Sequence, residues 1–196
     1  AMTSAAKFAD NRGTTMTMEA CSVADAFLTL YKACGERQYF DFALDIMRTY
    51  ASLQRPDGSF TIKVNYATGA PLLDVCAMPH PIILTVARLR NEFGVTEFDD
   101  MAFNAEQWMA RVPLTTFDFT GQFEDVSVNG LEPYENLTYV AAAMYGEYLL
   151  YELKEGRTHG ASLEQALDLV RFCEDQFVHW DWLPAEDGIR HLPWPS

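Results

Sequence analysis

The sequence predicts an all-α protein made of three tandem antiparallel helical hairpins. Apolar residues recur with a period of about 3.6 residues in six segments. No comparable segment alternates with a period of two, so an extended sheet is not expected. Connections between the six segments alternate between short and long, and short connections make antiparallel neighbours. The 196 residues are expected to form a single domain, residues 1–196.

Each predicted helix has one apolar face, and two of them have a glycine at the end. The six helices are expected over residues 20–34, 37–54, 81–93, 98–111, 135–154 and 162–178. Gly35 and Gly94 are placed to end the first and third helices, because glycine adopts a positive φ without strain. Residues 1–18 are interpreted as an N-terminal arm, in which Ala1 before Met2 is typical of a residue left by a tag.

The composition is that of an acidic globular protein. The formal net charge of −14 argues against a nucleic-acid partner, which needs a cationic surface, and against an anionic membrane. No stretch of about 20 apolar residues is present, so no membrane span is expected. The absence of a visible signal peptide favours a cytoplasmic location. The cysteines and histidines lack the spacing of a zinc site, so neither a metal nor a cofactor is expected.

The long connections are the expected location of function, because hairpins stacked side by side would bring them to one end of the helical layer. These connections are residues 55–80, 112–134 and the tail after 178. In the first, Pro-Asp-Gly is turn chemistry, and residues 60–65 with a return after Gly69 are compatible with a small β-hairpin. An ordinary tight turn is the alternative interpretation.

The second long connection mixes aromatic rings with carboxylates. It contains Phe123, Glu124, Asp125, Tyr134 and Glu135. Aromatic faces stack on the apolar side of a sugar, and two carboxyl groups can supply the acid and the base of glycosidic chemistry. In the alternative interpretation, the rings hold the loop on the core and the acids are solvated. The tail holds three of the four tryptophans, Trp180 among them. Trp180 is expected either to pack on the core or, if exposed, to form a platform for a ligand or an interface.

The segment Gln54-Arg55-Pro56-Asp57-Gly58-Ser59-Phe60 resembles the Q-x-x-DG-x-[WF] turn between hairpins of the six-hairpin glycosidase-like group of (α/α)6 toroids. Residues 121–125 with 133–137, and residues 172–178, also resemble stretches of bacterial members of this group. A complete toroid has six hairpins and this chain has three, so the resemblance implies a half or partial toroid. Its inner helix faces are then expected to mediate self-association or to receive a missing second half.

Together, the resemblance and the loop residues predict a carbohydrate-active enzyme, glycoside hydrolase-like, or half of one, acting on an oligosaccharide. The candidate catalytic carboxylates are Glu124, Asp125 and Glu135. The candidate substrate-binding residues are Asp57, Phe60, His80, Phe123, Tyr134 and Trp180. Two alternatives stay open. One is a sugar epimerase or lyase on the same scaffold, with His or Tyr as the proton carrier. The other is a non-catalytic module that binds sugar or another protein.

Overall fold

The computed structural model describes residues 12–73, 75–116, 140–156 and 163–177, and most of them are helical. The helices are α1 Glu19–Cys34, α2 Arg37–Leu53, α3 His80–Phe93, α4 Asp99–Arg111, α5 Pro113–Thr116, α6 Val140–Lys154 and α7 Leu163–Phe177. The strands are β1 Thr14–Met16, β2 Phe60–Thr61, β3 Lys63–Asn65 and β4 Cys76–Ala77. The predicted all-α class is confirmed at the level of helical content.

The observed helix ends agree with the predicted ones to within one residue wherever both are described. The start of α6 and the two ends of α7 are not compared, because residues 135–139, 162 and 178 lie outside the described residues. Gly35 and Gly94 end α1 and α3 in the left-handed conformation, with φ of 75° and 70°, as predicted. The chain divides into two compact units, Ala1–Leu137 and Thr138–Ser196.

Helices α1 and α2 pack against each other and run antiparallel. The Tyr31 and Phe40 rings, on either side of the Gly35 turn, have centroids 5.0 Å apart. At the far ends of the two helices, a side-chain hydrogen bond joins Cys21 to Tyr50. Late residues of α1 therefore contact early residues of α2, and early residues of α1 contact late residues of α2.

Helix α1 also lies beside α3, and two ion pairs join the helices. Arg88 Nη1 is 2.6 Å from Asp25 Oδ1, and Lys32 Nζ is 2.8 Å from Glu92 Oε2. The two pairs follow the same direction along both helices, so α1 and α3 run parallel. Exposed pairs contribute little free energy of folding, but they fix which side of α1 faces α3.

The first long connection forms two short antiparallel ladders. β2 pairs with β4, with Phe60 opposite Ala77, and β3 pairs with β1, with Thr14 opposite Asn65. The return after Gly69 makes a bridge between residues 64 and 71. Residues 14–16, which are expected to be part of the N-terminal arm, are thus a strand that pairs with β3.

In the second compact unit, α6 packs on α7. Gly146 of α6 gives α7 room to approach, because a Cβ on Gly146 would lie 3.6 Å from the Leu169 Cβ and 3.8 Å from the Ala166 carbonyl oxygen. Tyr145 and Tyr148 are buried, and their ring centroids are 5.7 Å apart. The contact between these two helices is therefore apolar and close.

Candidate functional site

The segment Gln54–Phe60, which carries the family resemblance, is a tight turn closed by its own hydrogen bonds. The amide of Arg55 donates to the Ser59 carbonyl, and the amide of Gly58 donates to the Arg55 carbonyl, both at 2.9 Å. Asp57 Oδ1 accepts from the amide and the hydroxyl of Ser59 at 3.0 and 2.7 Å. The hydrogen bond from the Ser59 hydroxyl is the main reason that the pKa of Asp57 is lowered. The carboxylate thus holds the turn.

The same turn is anchored on α4. Gln54 Nε2 donates to the Met101 carbonyl at 2.9 Å and to the Gly58 carbonyl at 3.2 Å. Gly58 has a φ of 92° and lies against the backbone of Asn104, where a Cβ would lie 2.7 Å from the carbonyl carbon and closer still to the oxygen. Because only glycine fits this approach, the Gly of the motif has a definite structural role.

Phe60 is fully buried, and its ring meets Tyr50 edge to face with centroids 6.1 Å apart. A ring in this position packs in the core and is not open to a sugar in solution. The pairing of β2 with β4 sets Phe60 opposite Ala77, three residues before His80. Phe60 is thus in the β2–β4 ladder, and His80 begins the helix that follows β4.

His80 is the first residue of α3 and is only 5% exposed. In the part of the chain that the structure describes, its Nδ1 has no hydrogen-bond partner. Burial lowers the pKa of His80 to about 4, so the imidazole is neutral at pH 7. The neutral Nδ1 can accept a hydrogen bond from a ligand, but a pKa of about 4 makes it a weak base at pH 7.

A buried hydrogen-bond network joins the N-terminal strand to α2 and β2. The Tyr50 hydroxyl donates to the Thr17 carbonyl, and the Thr17 hydroxyl donates to the Thr61 carbonyl at 2.5 Å. The Thr61 hydroxyl in turn donates to the Leu73 carbonyl at 2.8 Å. Burial raises the pKa of the adjacent Cys21 thiol to about 12. Cys21 is thus a protonated structural thiol, not a nucleophile.

Replacing Tyr50 with phenylalanine is expected to lower the free energy of unfolding by roughly 1–3 kcal/mol, because the buried Thr17 carbonyl loses its donor. Urea unfolding followed by circular dichroism measures the change. Tyr66→Phe is the matched control: Tyr66 is 70% exposed, and the free energy of unfolding should change by less than about 0.5 kcal/mol. Equal stability of Tyr50→Phe and the parent would contradict this account of the network.

The remaining predicted site residues lie outside the described residues. They are Phe123, Glu124, Asp125, Tyr134, Glu135 and Trp180. The structure therefore describes only the candidates of the first long connection, and the roles assigned to these six stay predictions.

One buried cation was not predicted from the sequence. Lys63, the first residue of β3, is 2% exposed. Cys76 is opposite Thr61 in the ladder, and Arg55 Nη1 donates to its sulfur at 3.7 Å. The only sequence signal was the alternation around Lys63, which is equally typical of a solvated strand face.

The described ranges were searched for metal-binding clusters and for membrane-spanning helices. Residues 12–73, 75–116, 140–156 and 163–177 contain no group of three or more His, Cys, Asp or Glu side chains that could hold a metal ion. In the same ranges, every helix is too short or too polar to cross a membrane.

Comparison with known proteins identifies no matching family model, no matching curated protein and no matching solved structure. The resemblance to the six-hairpin glycosidase-like group therefore depends on the residues of the chain itself, chiefly those of the Gln54–Phe60 turn.

Proposed function

We propose that this chain is a carbohydrate-active, glycoside hydrolase-like module built on a partial (α/α)6 toroid. The observation that carries the proposal is the Gln54–Phe60 turn. Its acid, glycine and aromatic residues each have a distinct structural use: Asp57 closes the turn, Gly58 meets the α4 backbone and Phe60 enters the core. The motif thus joins α2 to β2 and rests on α4.

The helix order of the first compact unit supports the toroid part of the proposal. α1 lies beside α3 through Asp25 and Arg88, and the turn that follows α2 is anchored on α4 through Gln54. Gly35 precedes and Gly58 follows the 17-residue α2, which is about 25 Å long at 1.5 Å per residue. Short and long connections would then lie at opposite ends of the layer, with the proposed sugar site at the long-connection end.

The side of α1 that does not pair with α3 is exposed and apolar. This surface supports a toroid that is completed by another part or by self-association. Asp25 and Lys32 of α1 both pair with α3, whereas Val23 and Leu30 are 47% and 45% exposed. An apolar surface of this kind is typical of an interface. We propose that another helical hairpin covers it, either from a second half or from a second copy.

A sugar lyase or epimerase is the second candidate, and His80 is the observation that favours it. The ring is neutral at pH 7 and its Nδ1 is without a hydrogen bond among the residues that the structure describes. In this version the Nδ1 of His80 accepts the proton. A non-catalytic sugar-binding module is the outcome if the chain binds sugars but turns none over.

The test is hydrolysis of a panel of aryl glycosides by the parent chain and by Glu124→Gln, Asp125→Asn and Glu135→Gln. If a pair of these carboxyl groups carries the reaction, the corresponding variants lose at least about a hundredfold in kcat, as expected for a general acid or base. His80→Gln is assayed in parallel on uronic-acid oligosaccharides, where eliminative cleavage gives an ultraviolet-absorbing product.

Asp41→Asn is the matched control, because Asp41 is an exposed α2 carboxylate that pairs with Arg37 at 2.9 Å. It should keep the parent rate. Calorimetric titration with the same oligosaccharides separates a binding module from an enzyme. A parent chain that neither cleaves nor binds any of these sugars would contradict the proposal, and full activity in all three carboxylate variants would contradict the assigned catalytic residues.

A further inference from the structure

The first turn of α3 has backbone donors that lack an acceptor. The first amides of an α-helix have no partner within the helix. Pro79, which precedes α3, provides no side-chain cap, and Pro81 has no N–H. Among the described residues, nothing accepts a hydrogen bond from the amide of His80 or of Ile82. Because these two residues are 5% and 0% exposed, both donors belong to buried residues.

One acceptor accompanies these two donors. The Nδ1 atom of His80 is buried and, within the described ranges, has no hydrogen-bond partner. The Cβ of a helical residue tilts toward the helix N-terminus, so the ring of this first residue lies at the end of α3 that carries the two amides. Burial lowers the pKa of His80 to about 4, which keeps Nδ1 free of a proton at pH 7. The start of α3 therefore offers two donors and one acceptor.

The start of α3 lies at the same end of the first compact unit as the Gln54–Phe60 turn. Helix α2 runs antiparallel to α1, whereas α3 runs parallel to α1. The end of α2 and the start of α3 are therefore at one end of the three helices, and the turn follows α2 directly. This is the end at which the sugar is proposed to bind.

We propose that the start of α3 is a subsite for one hydroxyl group of the sugar. A hydroxyl has one donor and two lone pairs, so it can donate to the His80 Nδ1 and accept from the two amides. An ionised carboxylate cannot donate to Nδ1, and an ammonium group cannot accept from the amides. The positive end of the helix dipole also favours an oxygen lone pair. The inference rests on the proposed sugar binding, and in it His80 holds the ligand and transfers no proton.

The experiment is a titration of the full chain with a panel of methyl glycopyranosides, followed by calorimetry and by nitrogen NMR of the imidazole rings. The Nδ1 resonance of His80, which His80→Asn identifies by its loss, should move toward that of a hydrogen-bonded nitrogen when a sugar binds. His80→Leu should bind the same sugar about tenfold more weakly, as expected for one lost hydrogen bond. His80→Asn, whose Oδ1 is also an acceptor, should remain within about threefold of the parent.

Monodeoxy analogues of the sugar that binds identify the hydroxyl. Removal of that hydroxyl should weaken binding to the parent about tenfold and leave binding to His80→Leu unchanged, because its partner is already gone. A purely structural role of His80 would instead give additive losses. Additive losses for every deoxy position therefore overturn the subsite.

Gln38→Leu is the matched control, because Gln38 is exposed beside the Gly35 turn, at the opposite end of the α1–α2 hairpin. It should bind sugar like the parent, and circular dichroism should show every variant folded. A sugar that binds without moving the Nδ1 resonance shows that water alone serves these groups, which overturns the subsite and leaves the proposed function standing. A parent chain that binds no sugar contradicts both.

Discussion

Gly58→Ala is expected to lower the free energy of unfolding by roughly 4 kcal/mol, near the upper end for single substitutions. Gly58 has a φ of 92°, which costs an L-residue roughly 1–2 kcal/mol. The new Cβ would in addition lie 2.7 Å from the carbonyl carbon of Asn104. Since a backbone atom cannot rotate away, the turn must lift off α4, which also strains the Gln54 hydrogen bonds. Urea unfolding measures the loss.

Gly35→Ala separates the two causes. Gly35 has a φ of 75°, but a Cβ there would meet nothing within 4 Å. Only backbone strain remains, so the expected loss is roughly 1 kcal/mol. An equal loss of unfolding free energy in both variants would mean that the close approach of the turn to α4 does not affect stability. That result would contradict the argument for Gly58.

Acidification from pH 7 to pH 5 is expected to remove about 2 kcal/mol of stability through His80 alone. Burial lowers the pKa of His80 to about 4 from 6.5. The unfolded chain therefore binds the proton more tightly than the folded one. The contribution is complete above pH 6.5 and is lost progressively as the pH falls toward 4. Thermal or urea unfolding at a series of pH values measures it.

His80→Leu isolates this contribution, because leucine does not titrate and also removes the buried Nδ1. Carboxylates titrate equally in both proteins, so the difference between the two stability curves reports His80. Relative to the parent, the variant should gain about 2 kcal/mol of stability between pH 7 and pH 5. Parallel curves for the two proteins would show that His80 is not buried as described.

The helices could be predicted from the sequence because their signals are local. A 3.6-residue period and a terminal glycine, such as Gly35 or Gly94, lie within the segment that they define. The pairing of β1 with β3 could not be predicted in this way. Thr14 and Asn65 are partners across the whole α1–α2 hairpin, and a three-residue strand has no periodicity that would identify its distant partner.

In the candidate site, the turn could be predicted from the sequence but the burial of its neighbours could not. The spacing of Asp57 and Gly58 indicates a turn, and the structure has one. Burial, however, depends on what packs over a residue. Phe60 packs on Tyr50 of α2 in the core, and His80 and Lys63 are buried as well. Sequence spacing does not encode these contacts.

The ladder between residues 14–16 and 63–65 has a consequence for the order of folding. It closes a chain loop of about 50 residues, whose entropy cost is roughly 3–4 kcal/mol beyond a length-independent term. The α1–α2 hairpin inside this loop needs only a two-residue connection. We expect the helices to meet first and thereby shorten the distance that the strand must search. The N-terminal strand then pairs with β3 late in folding and fastens a hairpin that is already formed.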